Sequence, residues 1–239
     1  MKRLPLHAIC FDLGGTLWDD YPTELHHWEL LAAICWRHGI EVRLSELVSL
    51  SEQVVQTYCP SLTRSMVWRL VEGDKERYQE IVDELVTASL SMLNSESEFK
   101  RLNPLFPGVH ELLEELARDF KLAIVSQNFA EAEQAMEWHG IRQYFEHTSL
   151  SAREKLFKPD PRLYVYTCEA LGVDPAHCMM VGDRLDNDIW PANRLRMHSV
   201  RVLADPYRIQ QPRYLADAPD HTVAKIVELA DVVANLRAG

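Results

Sequence analysis

The first hydrophobic segment of the chain, His7–Leu13, is short and apolar, and the pair Gly14–Gly15 follows it directly. A run of this length that ends at glycines is typical of a buried strand followed by a turn. From Tyr21 to about Leu93 apolar residues recur at spacings of three and four, which is the period of an amphipathic helix. The pattern predicts one strand and then a helical bundle. Its helices are expected at Glu24–His38, Leu44–Tyr58, Leu62–Glu72 and Lys75–Leu93.

Two polar or proline-containing stretches, Asn94–Glu98 and Asn103–Gly108, predict a linker after the bundle. Beyond it, strand and helix patterns alternate, which predicts a parallel sheet with helices on both faces. Strands are expected at Lys121–Ser126, His147–Leu150, Cys178–Gly182 and Ser199–Leu203, and helices at Val109–Arg118, Ala130–His139, Pro161–Leu171, Asn187–Leu195 and Val223–Leu236. With His7–Leu13 placed in the same sheet, the predicted fold class is α/β, a doubly wound, Rossmann-like core joined to a helical bundle.

Composition narrows the class of protein. The chain has 239 residues, of which 47% are hydrophobic, so it is long enough for one large core or two smaller ones. The sequence contains no apolar run of about 18 residues, which is the length that would predict a membrane helix. Pro5, His7 and Asp12 interrupt the first apolar stretch, which we interpret as a mature strand and not as a signal peptide. The five scattered cysteines include no Cys-x-x-Cys pair, so we expect reduced thiols and a cytoplasmic location.

The formal net charge of −11 opposes binding to nucleic acid or to an anionic membrane. An anionic substrate would therefore need a locally positive site. Because sites in open parallel sheets form at the carboxyl ends of the strands, the polar residues at those positions are the candidates. Three strand ends and one helix start carry them: Asp12-Leu13-Gly14-Gly15-Thr16, Ser126-Gln127-Asn128, Lys158-Pro159-Asp160-Pro161 and Gly182-Asp183 through Asp188.

This ordered set of four motifs resembles the haloacid dehalogenase superfamily, and in particular the subgroup that inserts a helical cap after the first motif. The resemblance implies a core at residues 1–17 and 104–239 and a cap at 18–103, which closes over the carboxyl edge of the sheet and selects the substrate. It also implies a hydrolase, most often a phosphatase for a small phosphorylated metabolite, acting as a monomer or homodimer.

The resemblance assigns roles to the motif residues. Asp12, Ser126 and Lys158 would be catalytic, with Asp12 as the nucleophile that forms an aspartyl phosphate. Magnesium would be held by Asp12, the Gly14 carbonyl, and Asp183 or Asp188, since Mg²⁺ prefers oxygen ligands. The residues expected to bind the phosphate or to fix the loop around it are Gly15, Thr16 and Gln127. Four other polar residues near these motifs, Asn128, Asp160, Asp186 and Asn187, are interpreted as structural.

One position departs from the pattern of the family. Its phosphatases carry a second aspartate two residues after the nucleophile, which protonates the leaving group and then activates water, and here that position is Gly14. The gap keeps two alternatives open. A 2-haloacid dehalogenase attacks carbon and needs no such acid, although it also needs no magnesium and generally lacks an aspartate pair such as Asp183 and Asp188. A regulatory module that binds phosphate and metal without turnover is the second alternative.

Overall fold

The computed structural model describes residues 4–89 and 95–238, which divide into two compact units. The first, here named the core unit, contains the chain up to Asp19, Leu105–Ala204 and the chain from Gln211 onward. The second, the helical unit, contains Asp20–Pro104 and the short segment Asp205–Gln210. Tyr207 and Ile209 of that segment pack against the apolar core of the helical unit. No pattern in the sequence indicated that these residues belong there.

The core unit is built on a six-stranded sheet in the order β3-β2-β1-β4-β5-β6. The strands are β1 Ala8–Phe11, β2 Lys121–Ser126, β3 His147–Leu150, β4 Cys178–Gly182, β5 His198–Val202 and β6 His221–Val223. Every neighbouring pair is parallel, and β1 lies at the centre between β2 and β4. With helices flanking it, this sheet confirms the predicted doubly wound, Rossmann-like fold class.

The described part of the helical unit contains five α-helices: α1 Tyr21–Arg37, α2 Leu44–Val55, α3 Leu62–Leu70, α4 Lys75–Ser89 and α5 Glu96–Leu102. The first four bury one apolar stripe each around a common core, in which Trp28, Leu47, Met66 and Ile81 are fully buried. The predicted end of the fourth helix, 90–93, and Asn94 of the predicted linker lie outside the described residues.

The linker prediction is wrong for Glu96–Glu98, because these residues form the first turn of α5. Phe99 and Leu102 of this helix are buried, and two ion pairs one turn apart, Lys100–Glu96 and Arg101–Glu98, stabilise its exposed face. The polar residues that suggested a linker therefore form the solvent-exposed face of a short amphipathic helix.

The helices of the core unit are α6 Val109–Leu116, α7 Ala132–Trp138, α8 Ser151–Glu154, α9 Pro161–Leu171, α10 Trp190–Arg194 and α11 Leu229–Ala238. The α9 residues Leu163, Tyr164 and Cys168 pack against one face of the sheet. The expected helix Asn187–Leu195 is in fact a π-helical turn, Leu185–Ile189, followed by α10. The expected helix Val223–Leu236 begins later, at Leu229, because Val223 ends the edge strand β6 and Ile226–Glu228 form a 3-10 turn.

Two further expectations concern the chain as a whole. Four of the five cysteines are buried, Cys59 is half-buried, and all five are free thiols, as predicted. Within residues 4–89 and 95–238, no helix combines the length and the hydropathy that crossing a membrane requires.

Candidate active site

Asp12 stands directly after the central strand, where the backbone still follows the sheet. Its amide donates a hydrogen bond to the Val181 carbonyl of β4 (2.9 Å), and the amide of Leu13 donates to Asp12 Oδ1 (2.8 Å). The carboxylate is thereby held at the carboxyl edge of the sheet, and 13% of its side chain remains exposed. A central position with partial exposure suits a group that must meet a substrate.

Two further carboxylates approach Asp12 from the end of β4. Asp183 follows the strand, and Asp188 lies in the π-helical turn Leu185–Ile189. One oxygen from each of Asp12, Asp183 and Asp188 lies within 4.8 Å of the others, and Asp183 and Asp188 are buried. The structure thus brings together the three carboxylates that the motifs singled out.

Two glycines make this close approach possible. A Cβ atom on Gly182 would lie 2.3 Å from the Asp188 Cγ atom, and one on Gly15 would lie 2.6 Å from Asp183 Oδ2. Both distances are far inside van der Waals contact, and Gly15 also has a φ of +62°, which side chains rarely adopt. Glycine is therefore required at both positions for the carboxylates to lie where they do.

Lys158 joins two of these carboxylates. Its Nζ atom lies 2.6 Å from Asp188 Oδ1 and 3.0 Å from Asp12 Oδ2, and its side chain is completely buried. Burial by itself would lower the pKa of Lys158, but the two carboxylates outweigh burial and raise the pKa, so the ammonium stays charged. Its charge lies directly beside the candidate nucleophile.

The pKa of Asp188 is raised as well, which for a carboxylate favours the neutral form. Burial raises the pKa of Asp188 to about 6, and the Asp12 charge adds to this rise, whereas Lys158 opposes it. Lys158 offsets the effect of burial only in part, and its one ammonium contacts both Asp12 and Asp188. The Arg184 amide also donates to Asp188 Oδ2 (3.0 Å), which stabilises the ionised form.

The donor groups of the site favour a bound cation. Three carboxylates lie together, and the Lys158 ammonium contacts two of them, Asp12 and Asp188. Arg201 is also buried, and its Nε donates to the Asp183 backbone carbonyl (3.2 Å). Clustered carboxylate oxygens are the donors that hard divalent cations prefer. The donor set therefore fits a divalent metal ion.

The remaining motif residues lie on the same edge of the sheet. Ser126 is buried at the end of β2, two residues beyond Ile124, which pairs with Phe11 next to the nucleophile. Gln127 follows it in an exposed bend. The Thr16 hydroxyl is buried and has no hydrogen-bond partner in the described part of the chain, which leaves it available to a ligand. Gly14 forms an isolated bridge with Trp18.

Two residues that position the acidic segment were missed in the sequence. Tyr164 of α9 is fully buried, and its hydroxyl donates to the backbone carbonyl of Asn187, immediately before Asp188. Arg201 was the easier one to find, since a charged residue inside the apolar strand β5 is itself a signal. Asp160 and Asp186, which were expected to be structural, each bind an arginine two residues away in the sequence.

Comparison with known proteins identifies the family to which the chain belongs. A family model described as haloacid dehalogenase-like hydrolase matches residues 6–195. The chain therefore belongs to the haloacid dehalogenase-like hydrolases, as the four motifs indicated, and it is a hydrolase.

Individual relatives match over nearly the full length. The chain is 30% identical to a glyceraldehyde 3-phosphate phosphatase from Methanopyrus kandleri, over 97% of this chain and 98% of the relative. It is 27% identical to a phosphoglycolate phosphatase from Thiobacillus denitrificans, over 96% of each protein. A solved structure of a predicted phosphoglycolate phosphatase from Haemophilus somnus shares the fold with a TM-score of 0.72, at 19% identity over 95% of this chain and 97% of that one.

Proposed function

We propose that this enzyme is a magnesium-dependent phosphatase that hydrolyses a small phosphate monoester through an aspartyl phosphate on Asp12. The observation that carries the proposal is the contact of a partly exposed carboxylate on the central strand with a buried ammonium and two buried carboxylates. The names of two nearly full-length relatives, both phosphatases of small metabolites, support the same class of substrate.

In the first chemical step, an Asp12 carboxylate oxygen forms a bond to phosphorus while the ester P–O bond breaks, and the leaving group departs as an alkoxide or aryloxide that takes its proton from water. In the second, water attacks the aspartyl phosphate, which releases inorganic phosphate and restores the carboxylate. A carboxylate and a phosphate dianion repel each other, so the first step requires positive charge. Lys158, 3.0 Å from Asp12 Oδ2, supplies part of it.

The rest of the charge would come from magnesium, for which Asp12, Asp183, Asp188 and the Gly14 carbonyl are the proposed ligands. When bound, this ion neutralises the phosphate and its developing charge. Asp183 and Asp188 are buried, and their backbone is held from α9 and β5, so they offer their oxygens in a fixed place.

The hydroxyls and amides at the strand ends would bind the phosphate oxygens. The Ser126 hydroxyl and the groups of Gly15 and Gln127 are the proposed donors, and donors aimed at these oxygens stabilise the transition state. The unpartnered Thr16 hydroxyl is the fourth proposed donor, and it also belongs to the loop that presents Asp12.

Gly14 sets the expected preference among substrates. A general acid contributes about 10²–10⁴-fold to a reaction that needs proton transfer, and no carboxylate stands at this position. We therefore expect phosphates with good leaving groups, such as aryl phosphates, to react faster than alkyl phosphates. The same gap favours a second candidate, a 2-haloacid dehalogenase, because a departing halide needs no proton.

A panel of aryl and alkyl phosphates, assayed with magnesium and with EDTA, tests the proposal. EDTA should abolish turnover, and Asp12→Asn should lower kcat by at least about 10³-fold because it removes the nucleophile. Asp119→Asn is the matched control, since Asp119 is an exposed carboxylate paired with Arg237. Turnover of 2-chloropropionate in EDTA would support the dehalogenase instead, and full activity of Asp12→Asn would refute both.

A further inference from the structure

The helical unit contains a cavity of about 470 Å³, which is within the range of small-molecule sites in proteins. One wall is the exposed stripe of α3, and Tyr78 of α4 contributes a second wall. The stripe residues follow the helical spacing of three and four, and they are Ser61, Arg64, Ser65, Trp68 and Arg69.

The stripe is the side of α3 that does not pack into the apolar core of the helical unit. Leu62, Met66 and Val67, on the opposite side of the helix, are buried in the apolar cluster of the helical unit. Ser61 stands at the amino-terminal cap of α3, and its side chain makes no capping hydrogen bond, so its hydroxyl is uncommitted.

The charge of the cavity is opposite to that of the chain. The sequence contains 36 acidic residues, yet none of the described carboxylates lines this cavity, whereas two guanidinium groups do. Among the described residues, neither Arg64 nor Arg69 has an ion-pair partner. Three other arginines of the same unit form ion pairs: Arg37 with Glu84, Arg43 with Glu46 and Arg101 with Glu98. Two unpaired guanidinium groups that line one cavity favour an anion.

The rest of the lining is mostly apolar. Trp68 and Tyr78 form an edge-to-face pair with ring centroids 5.6 Å apart. Trp68 remains 42% exposed, although a tryptophan normally gains by burying its ring. An exposed indole beside unpaired guanidinium groups can cover an apolar ring while the cations bind its charged end.

We propose that this cavity binds a small organic anion with a flat apolar body, of the aromatic carboxylate class. Arg64 and Arg69 bind the carboxylate, the Ser61 and Ser65 hydroxyls add hydrogen bonds, and Trp68 with Tyr78 covers the ring. This binding activity goes beyond the proposed phosphatase, because none of these residues is among the candidate catalytic ones.

The probe is 2-naphthoate, titrated calorimetrically into the whole protein in magnesium-free buffer. We expect a dissociation constant below about 1 mM, and at least about tenfold weaker binding by Arg64→Ala/Arg69→Ala. Arg43→Ala, which removes an exposed but paired arginine of the same unit, is the matched control and should bind like the wild type. Trp68→Phe should also weaken binding, and circular dichroism checks that each variant is folded.

Two further probes separate the contributions of charge and ring. The neutral 2-naphthamide tests the guanidinium groups, and acetate tests the aromatic wall; both should bind at least about tenfold more weakly than 2-naphthoate. The proposal is overturned if 2-naphthoate does not bind, if Arg64→Ala/Arg69→Ala binds it unchanged, or if the amide binds equally well. Because no turnover is measured, these outcomes are independent of the proposed phosphatase activity.

Discussion

Each of the two units contains a lysine–carboxylate contact of nearly the same length. In the core unit, Lys158 Nζ lies 2.6 Å from Asp188 Oδ1, and both side chains are completely buried. In the helical unit, Lys100 Nζ lies 2.7 Å from Glu96 Oε1, with side chains 41% and 54% exposed. The two distances are nearly equal, so the two contacts differ mainly in how far water surrounds them.

Burial changes what such a contact can do. Water screens the exposed pair, so it contributes little to stability and leaves its carboxylate with ordinary chemistry. In the buried group, desolvation and the Asp12 charge raise the pKa of Asp188 although Lys158 opposes the rise, and the Lys158 ammonium is held next to Asp12. Buried charge that is incompletely paired reduces stability, and enzymes retain it where a reaction needs it.

Removing the ammonium of each pair should give the largest difference in stability between the two units. Lys158→Met should lower the free energy of unfolding by about 3–5 kcal/mol, because it leaves buried carboxylates without their partner. Lys100→Met removes the matched exposed ammonium and should change it by no more than about 1 kcal/mol. Urea unfolding in EDTA measures both values. Equal effects of the two substitutions would show that burial does not separate the pairs.

The pH dependence of stability should differ in sign between the units. The pKa of Asp188 is about 6 in the folded protein and 3.8 as an ordinary aspartate, so between these values the folded state holds the extra proton. Its contribution to stability therefore falls as pH rises from about 4 to 6, by at most about 1.4 kcal/mol per pH unit. In the helical unit, hydrogen bonds from Arg37 and His38 lower the pKa of Glu84, so its contribution is lost as pH falls.

Asp188→Asn isolates the buried group, since an amide does not titrate. Urea unfolding of wild type and variant in EDTA between pH 4 and pH 7 should show the wild type losing stability relative to the variant as pH rises. Parallel curves would mean that Asp188 titrates as an ordinary carboxylate.

The smallest expected effect concerns the support of the acidic segment. Tyr164→Phe deletes the hydroxyl that binds the Asn187 carbonyl, and it should lower stability by about 1 kcal/mol. We also expect weaker binding of Mg²⁺, measured by calorimetry, because Asp188 is the next residue. Tyr166→Phe, on the exposed side of the same helix, is the control and should change neither quantity. A loss of stability with unchanged Mg²⁺ affinity would restrict Tyr164 to a structural role.

Local patterns were sufficient for much of the core unit. The predicted strands Lys121–Ser126, His147–Leu150 and Cys178–Gly182 and the helix Pro161–Leu171 coincide with β2, β3, β4 and α9. Each is a continuous apolar or amphipathic run between turn residues, so neighbouring residues in the sequence indicate both its period and its ends. The edge strand β6 and helix α5 were missed because each is short and half polar.

The candidate site divides in the same way. The sequence by itself determined which side chains stand at strand ends, because the carboxyl ends of parallel strands share one edge; this is why Asp12, Asp183 and Asp188 could be named together. It also showed the absence of an acid at Gly14. Local spacing could not show which oxygens meet Lys158, or that Tyr164 and Arg201 hold the acidic segment.

The tertiary structure alone decided the remaining features. Asp205–Gln210 joined the helical unit, and the stripe of α3 became a wall of a cavity without carboxylates. Both depend on contacts between residues far apart in the chain, and the periodicity of a segment records only that one face is buried, not what covers it. Local periodicity therefore determined the elements and the edge that carries the chemistry, whereas long-range packing set the charge balance and the cavity.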